Sequence, residues 1–162
     1  MARTNKTTDY SGRKVDILAL DGAFNDVVFQ LDQNLYSSNG SKVCAGIQKL
    51  AQRWLIEFLT PAGSMPYMTD RGCDFINKVR SGRIRTELDA TMAFNFAKER
   101  VGFNLRKEDR AGSFPEDEQY KEATLDGIRV DIGSKLTLSV IIDSVAGDKR
   151  VFVVPLNVVP SR

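Results

Sequence analysis

Apolar residues recur at Val43, Ile47, Leu50, Ala51, Trp54, Leu55, Phe58 and Leu59, at spacings of three and four. That period draws one apolar stripe along an amphipathic helix, with Gln48, Gln52, Arg53 and Glu57 on its polar side. Ser41 is placed to cap its start, because its hydroxyl can accept from an orphan backbone N–H. Pro61 and Gly63 stop it. A shorter helix follows over 74–80, with Phe75, Ile76 and Val79 inward and Ser81-Gly82 at its end. The pattern predicts a second long helix over 83–100, its stripe being Ile84, Leu88, Met92 and Phe96, with Phe94 and Ala97 widening that stripe or taking another face. Residues 101–105 read as a short strand and 106–126, charged and broken by Gly112 and Pro115, as a surface loop.

Beyond residue 126 the period changes from helical to alternating. Ile128, Val130 and Ile132 alternate, then Leu136, Leu138, Val140 and Ile142 alternate against Thr137, Ser139 and Ile141. That is the signature of strands with one buried face. Ala146-Gly147-Asp148 supplies a turn. The last strand is apolar on both faces, with Val151, Val153 and Pro155 on one and Phe152, Val154 and Leu156 on the other. Pro155 implies that it lies at a sheet edge or ends there, and an apolar edge invites pairing unless something covers it. At the other end, residues 15–20 and 27–31 read as a hairpin. The expected class is α+β: a small antiparallel or mixed sheet packed on two main amphipathic helices, ending in a β-hairpin. Residues 1–14 read as a polar, flexible arm before a single domain over 15–162.

Composition narrows the chemistry more than the fold. The chain has 162 residues, 23 Lys plus Arg against 21 Asp plus Glu, and no histidine. An apolar fraction of 42% with 27% charged residues suits an ordinary globular domain. Charge is uneven: residues 71–110 hold ten basic and six acidic side chains, and 112–126 hold five acidic and one basic. Two cysteines, Cys44 and Cys73, are too few for a zinc site, which needs about four ligands. No signal-like apolar segment opens the chain, and no run reaches the roughly 20 residues of a membrane span, so a reducing cytoplasm is expected.

Without histidine, neither a Ser-His-Asp nor a Cys-His pair can form within the chain. Neither GxxxxGK[ST] nor a strand-to-helix GxGxxG is present. Paired carboxylates remain, with Glu57, Asp70, Asp74, Glu87 and Glu99 as candidates for glycoside hydrolysis. None has a local context implying the desolvation that raises a carboxyl pKa, and Glu57 falls on the polar side of its helix. Lys78, Arg80, Arg83 and Arg85 could meet phosphates. No aromatics interleave there as a single-strand platform requires, and a solvated face is the simpler expectation. No cofactor, metal, nucleic acid or membrane span is expected.

The segment Ile47-Gln48-Lys49-Leu50-Ala51-Gln52-Arg53-Trp54-Leu55, then Phe58-Leu59-Thr60-Pro61-Ala62-Gly63-Ser64, then Pro66-Tyr67 and Arg71-Gly72-Cys73-Asp74-Phe75, resembles the baseplate wedge and sheath-initiator family of contractile phage tails. That family, some of whose members carry the label tail lysozyme, shows a leucine-rich helix, L-L-T-P-x-G and a short spacer ending in Gly. The likeness covers 43–156, with 15–31 a vaguer match. A Glu-Pro-Arg signature closes the family's second long helix. Here Ala97-Lys98-Glu99-Arg100-Val101 keeps the Arg and replaces the Glu-Pro pair with Lys98-Glu99.

The resemblance implies a structural virion protein rather than an enzyme, in several copies (sixfold in the family) ringing the base of the tail. Its implied partners are wedge proteins, the sheath protein, and tube or hub proteins. Lys98, Glu99 and Arg100 would then face the wedge. The strand Arg150, Val151, Phe152, Val153, Val154, Pro155 and Leu156 would pair with sheath. Trp54, Leu55 and Phe58 anchor the core. A peptidoglycan-degrading tail lysozyme and a tail-completion or connector protein are the alternatives.

Overall fold

The computed structural model describes residues 16–17, 43–131 and 135–157. The fold is α+β. Helices α1 (Ile47–Leu59) and α3 (Glu87–Ala111), with α2 (Phe75–Arg80) packed on both, cover one face of an antiparallel sheet made of β3 (Tyr120–Asp131), β4 (Lys135–Ser144) and β5 (Lys149–Asn157). A two-residue strand pair, β1 (Asp16–Ile17) with β2 (Val43–Cys44), stands apart from that sheet. The described partner of 16–17 is therefore 43–44; the expected partner 27–31 and the arm 1–14 lie outside the described residues, as does Ile132. Among the described residues, no helix is long and apolar enough to cross a membrane.

The sheet is a meander in the order β3-β4-β5. Leu136, Leu138, Val140 and Ile142 on β4 and Phe152 and Val154 on β5 are buried, while Thr137, Ser139, Ile141 and Val153 are only half-buried. One face meets the helices and the other meets solvent, as alternating antiparallel strands dictate. Leu138 pairs with Val154 and Thr137 with Pro155 in an unbroken register between β4 and β5.

Helix α1 lies against β4 and β5, α3 runs along β3, and α2 packs against both long helices. Trp54 and Phe58 stack at 4.7 Å between ring centroids, and Phe75, Phe94 and Phe152 close around them. Trp54, Leu55 and Phe58 are all buried.

Two sequence expectations for α1 need correction. Val43 belongs to β2, and the helix starts at Ile47 after Gly46, whose backbone provides no side-chain cap. Ser41 lies outside the described residues. The polar side is also less polar than its letters imply, because Gln52 and Glu57 are buried.

Helix α3 departs further from the pattern. Thr86, not residue 83, begins it: Asp89 N–H donates to Thr86 Oγ1 at 3.1 Å while Thr86 N–H donates to Asp89 Oδ2 at 3.0 Å. That is a capping box. The helix continues through 101–105, expected as a strand, to Ala111. Residues 106–126 accordingly contain the helix end, a 3-10 turn at Glu116–Glu118 and the start of β3 rather than a loop. Its buried face is Ala90, Ala93, Phe94, Ala97, Val101 and Leu105, whereas Leu88, Met92 and Phe96 point to solvent. Alanines let α3 approach its neighbours closely, so the less hydrophobic stripe is the inner one. Gly102 serves the same end: a Cβ there would stand 2.7 Å from the Tyr120 ring.

Candidate assembly interface

The punctuated segment after α1 is a clamped loop. Pro61 forms an isolated parallel bridge with Cys73. Cys73 N–H donates to the Thr60 carbonyl at 2.9 Å and Ala62 N–H to the Cys73 carbonyl at 3.0 Å. Gly72 has φ +82, and a Cβ there would overlap the Thr60 carbonyl. Only glycine fits this close crossing. The loop therefore returns to its starting point and exposes its tip, where Tyr67 is 99% exposed beside Met65 and Met68.

Glu57 closes the loop from beneath. It is 2% exposed. Its Oε1 accepts from Gly72 N–H at 2.8 Å and from the Asn104 amide, and its Oε2 lies 3.1 Å from Arg71 Nε. Arg71 reaches on to Glu108 Oε1 at 2.7 Å, and Glu108 Oε2 meets Arg53 Nη2 at 2.8 Å. Arg53 also meets Asp109 Oδ1 at 3.0 Å, whose Oδ2 accepts from Tyr120 N–H at 2.8 Å. A continuous polar seam thus ties α1, the loop, α3 and the start of β3. Burial alone would raise the Glu108 carboxyl, but Arg53 and Arg71 outweigh it and hold it below its usual value. At the exposed rim, Lys107 pairs with Asp70 and holds that carboxyl low as well.

A second tie joins the 3-10 turn to α1. Glu118, 1% exposed, accepts from Gly46 N–H at 3.1 Å and pairs with Lys49 Nζ at 2.9 Å. Its backbone carbonyl accepts from Arg53 at 3.0 Å. The carboxylate sits at the positive start of α1, doing across the fold what a local cap would do.

The structure separates Lys98, Glu99 and Arg100. Lys98 Nζ is 4.0 Å from Glu122 on β3, Arg100 donates to the Asp70 carbonyl at 2.9 Å, and Glu99 is exposed between them. Arg100 therefore braces the loop. On β5, Phe152 and Val154 enter the core, Val151 is exposed, and Arg150, Val153, Pro155 and Leu156 are half-buried. Among the described residues, β4 flanks β5 on one side and no strand flanks the other. Pro155 has no N–H to give. It spares the β4 ladder only where the odd positions of β5 turn their N–H groups outward.

The five candidate carboxylates do not gather. Glu57 is committed to the seam, Asp70 to Lys107, and Asp74 accepts from the Asn77 amide at 3.1 Å. Glu87 and Glu99 are exposed along α3. The cations Lys78, Arg80, Arg83 and Arg85 spread over α2 and the following turn, with Lys78 above the Phe96 ring and Arg85 donating to the Gly82 carbonyl. Asn104, Asp109 and Glu118 escaped the sequence reading, since each is an ordinary polar letter whose role rests on partners at least 11 positions away. Comparison of the chain with family models, curated proteins and solved structures finds no match.

Proposed function

We propose that this chain is a structural component of a contractile-tail baseplate, joining wedge to tube and templating sheath by β-strand addition. The observation that supports the reading best is the outer edge of β5. It ends a short, one-sided sheet, alternates Val151, Val153 and Pro155 on the face away from the helices, and offers outward N–H groups. An added strand gains main-chain hydrogen bonds from such an edge, and alternate side chains give it register. The polar seam complements this role, because a template needs a sheet held rigidly against its helices.

Two carboxyls, Asp70 and Glu108, fit the structural reading better than the general acid of a cell-wall hydrolase. A glycosidic general acid needs a raised pKa, yet Asp70 and Glu108 are both held low by cations.

Electron microscopy of particles labelled on this subunit tests the proposal. The expected position is a ring at the base of the tail, beside the first sheath disc. A position at the head-proximal end overturns it in favour of a connector. Val153→Pro, which removes an outward N–H and no β4 bond, is expected to give assembled baseplates that fail to nucleate sheath. Fully sheathed tails from that variant overturn the strand-addition step.

A further inference from the structure

The two edges of the sheet are protected differently. The edge belonging to β3 shifts register twice, between Tyr120 and Glu122 and between Leu125 and Gly127. Along it Lys121, Glu122, Asp126, Arg129 and Asp131 are exposed. Bulges and charges are what keep an edge from pairing with another sheet. On β5 the register is unbroken, and no charged side chain falls between Val151 and Leu156. Pro155 is the protective device on that stretch.

Ser144 N–H donates to the Asp148 carbonyl at 2.9 Å, which turns the even positions toward β4 and the odd ones outward. Lys149, Val151, Val153 and Asn157 therefore present N–H groups at the edge, and at Pro155 the ring stands where the N–H would. Two copies of β5 laid edge to edge, antiparallel and overlapped from 149 to 157, set Val153 opposite Val153. Each Pro155 then meets the Val151 carbonyl of the other copy, so a single proline per chain obstructs the pairing at two points. An extended strand of a different protein can end opposite Val153. It meets no proline and still gains the donors and acceptors of Lys149, Val151 and Val153.

We propose that Pro155 makes the β5 edge selective: closed to a second copy of β5 in full overlap, and open over Lys149–Val153 to an extended strand of another protein. The open half rests on the strand-addition reading. The closed half concerns the free chain and is measured without a tail.

Sedimentation equilibrium of purified Pro155→Val tests it. Valine restores the N–H and suits a strand, so the dilute variant is expected to keep the parent's circular dichroism. Its self-association constant is expected to exceed the parent's by at least about tenfold, because the pair regains two hydrogen bonds and loses two collisions. Pro155→Thr, polar but equally able to donate, should gain as much. Adding Val153→Pro, which blocks the middle of the overlap, should return the parent's value. A Pro155→Val chain that associates no more tightly than the parent overturns the proposal. So does a gain confined to valine, or one that survives Val153→Pro. Sheath nucleation in assembled particles, the readout for strand addition, is a separate measurement, so failure of either reading is told from failure of the other.

Discussion

Replacing Glu118 by Gln tests whether the start of α1 is held from across the fold. The substitution keeps the size of the side chain and an oxygen for Gly46 N–H, but removes the carboxylate that stands 2.9 Å from the nearly buried Lys49 ammonium. Removing one partner of a buried pair costs about 3–5 kcal/mol, chiefly the uncompensated charge. Lys49 also lies 5.5 Å from the centroid of the Phe114 ring, which softens the loss, so the lower end, about 3 kcal/mol, is expected. For a chain of this size that lowers Tm by roughly 6–12 °C. Urea unfolding followed by fluorescence of Trp54, the sole tryptophan, measures it directly. The paired change Glu118→Leu with Lys49→Met removes both charges and should recover most of the stability. A Glu118→Gln variant within about 0.5 kcal/mol of the parent, the range of an ordinary surface change, would refute the reasoning.

The same assay should show Gly72→Ala losing at least about 2 kcal/mol, since positive φ and a fixed carbonyl both oppose a Cβ. Gly63→Ala, with φ +73 but open space, should lose about 1 kcal/mol; equal losses would deny the close crossing. Glu108, held below its usual 4.5, stabilises the fold fully above that pH and loses its contribution as pH falls through the folded value. Glu108→Gln should therefore flatten the stability profile below about pH 4.5 and leave its slope between pH 5 and 7 unchanged. Burial pushes the Cys73 thiol up to about 11. A disulfide reagent should find no reactive thiol in native protein and two after unfolding in urea; prompt native labelling would contradict the buried site.

The parts legible in the sequence are those with a single apolar face. Leu136, Leu138, Val140 and Ile142 alternate against polar or half-buried neighbours, so β4 could be read from period alone. The α1 stripe around Trp54 was equally plain. In α3 the two faces compete, and hydrophobicity picks the wrong one: Leu88 and Phe96 outrank Ala93 and Ala97 on any scale, yet close packing against α1 and β3 selects the small residues. The seam was hidden for another reason. Glu57 looks solvated among Gln and Arg until the loop returns Gly72 and Arg71 over it. Lys98, Glu99 and Arg100 are consecutive letters, and a helix turns consecutive letters to different sides. For the strand Arg150 to Leu156, Pro155 left an edge or a strand end open, and the order β3-β4-β5 selects the edge.

The carboxylate of Glu118 reaches the first turn of α1 from 72 positions downstream. Cut from the chain, a peptide spanning 43–60 would thus lack its start signal, and 13 helical residues are too few to hold together in water. The N-terminal helix and the C-terminal strands must condense together. Splitting the gene in the turn after Ala111 should yield two fragments, each shapeless by itself, that recover the fold when mixed.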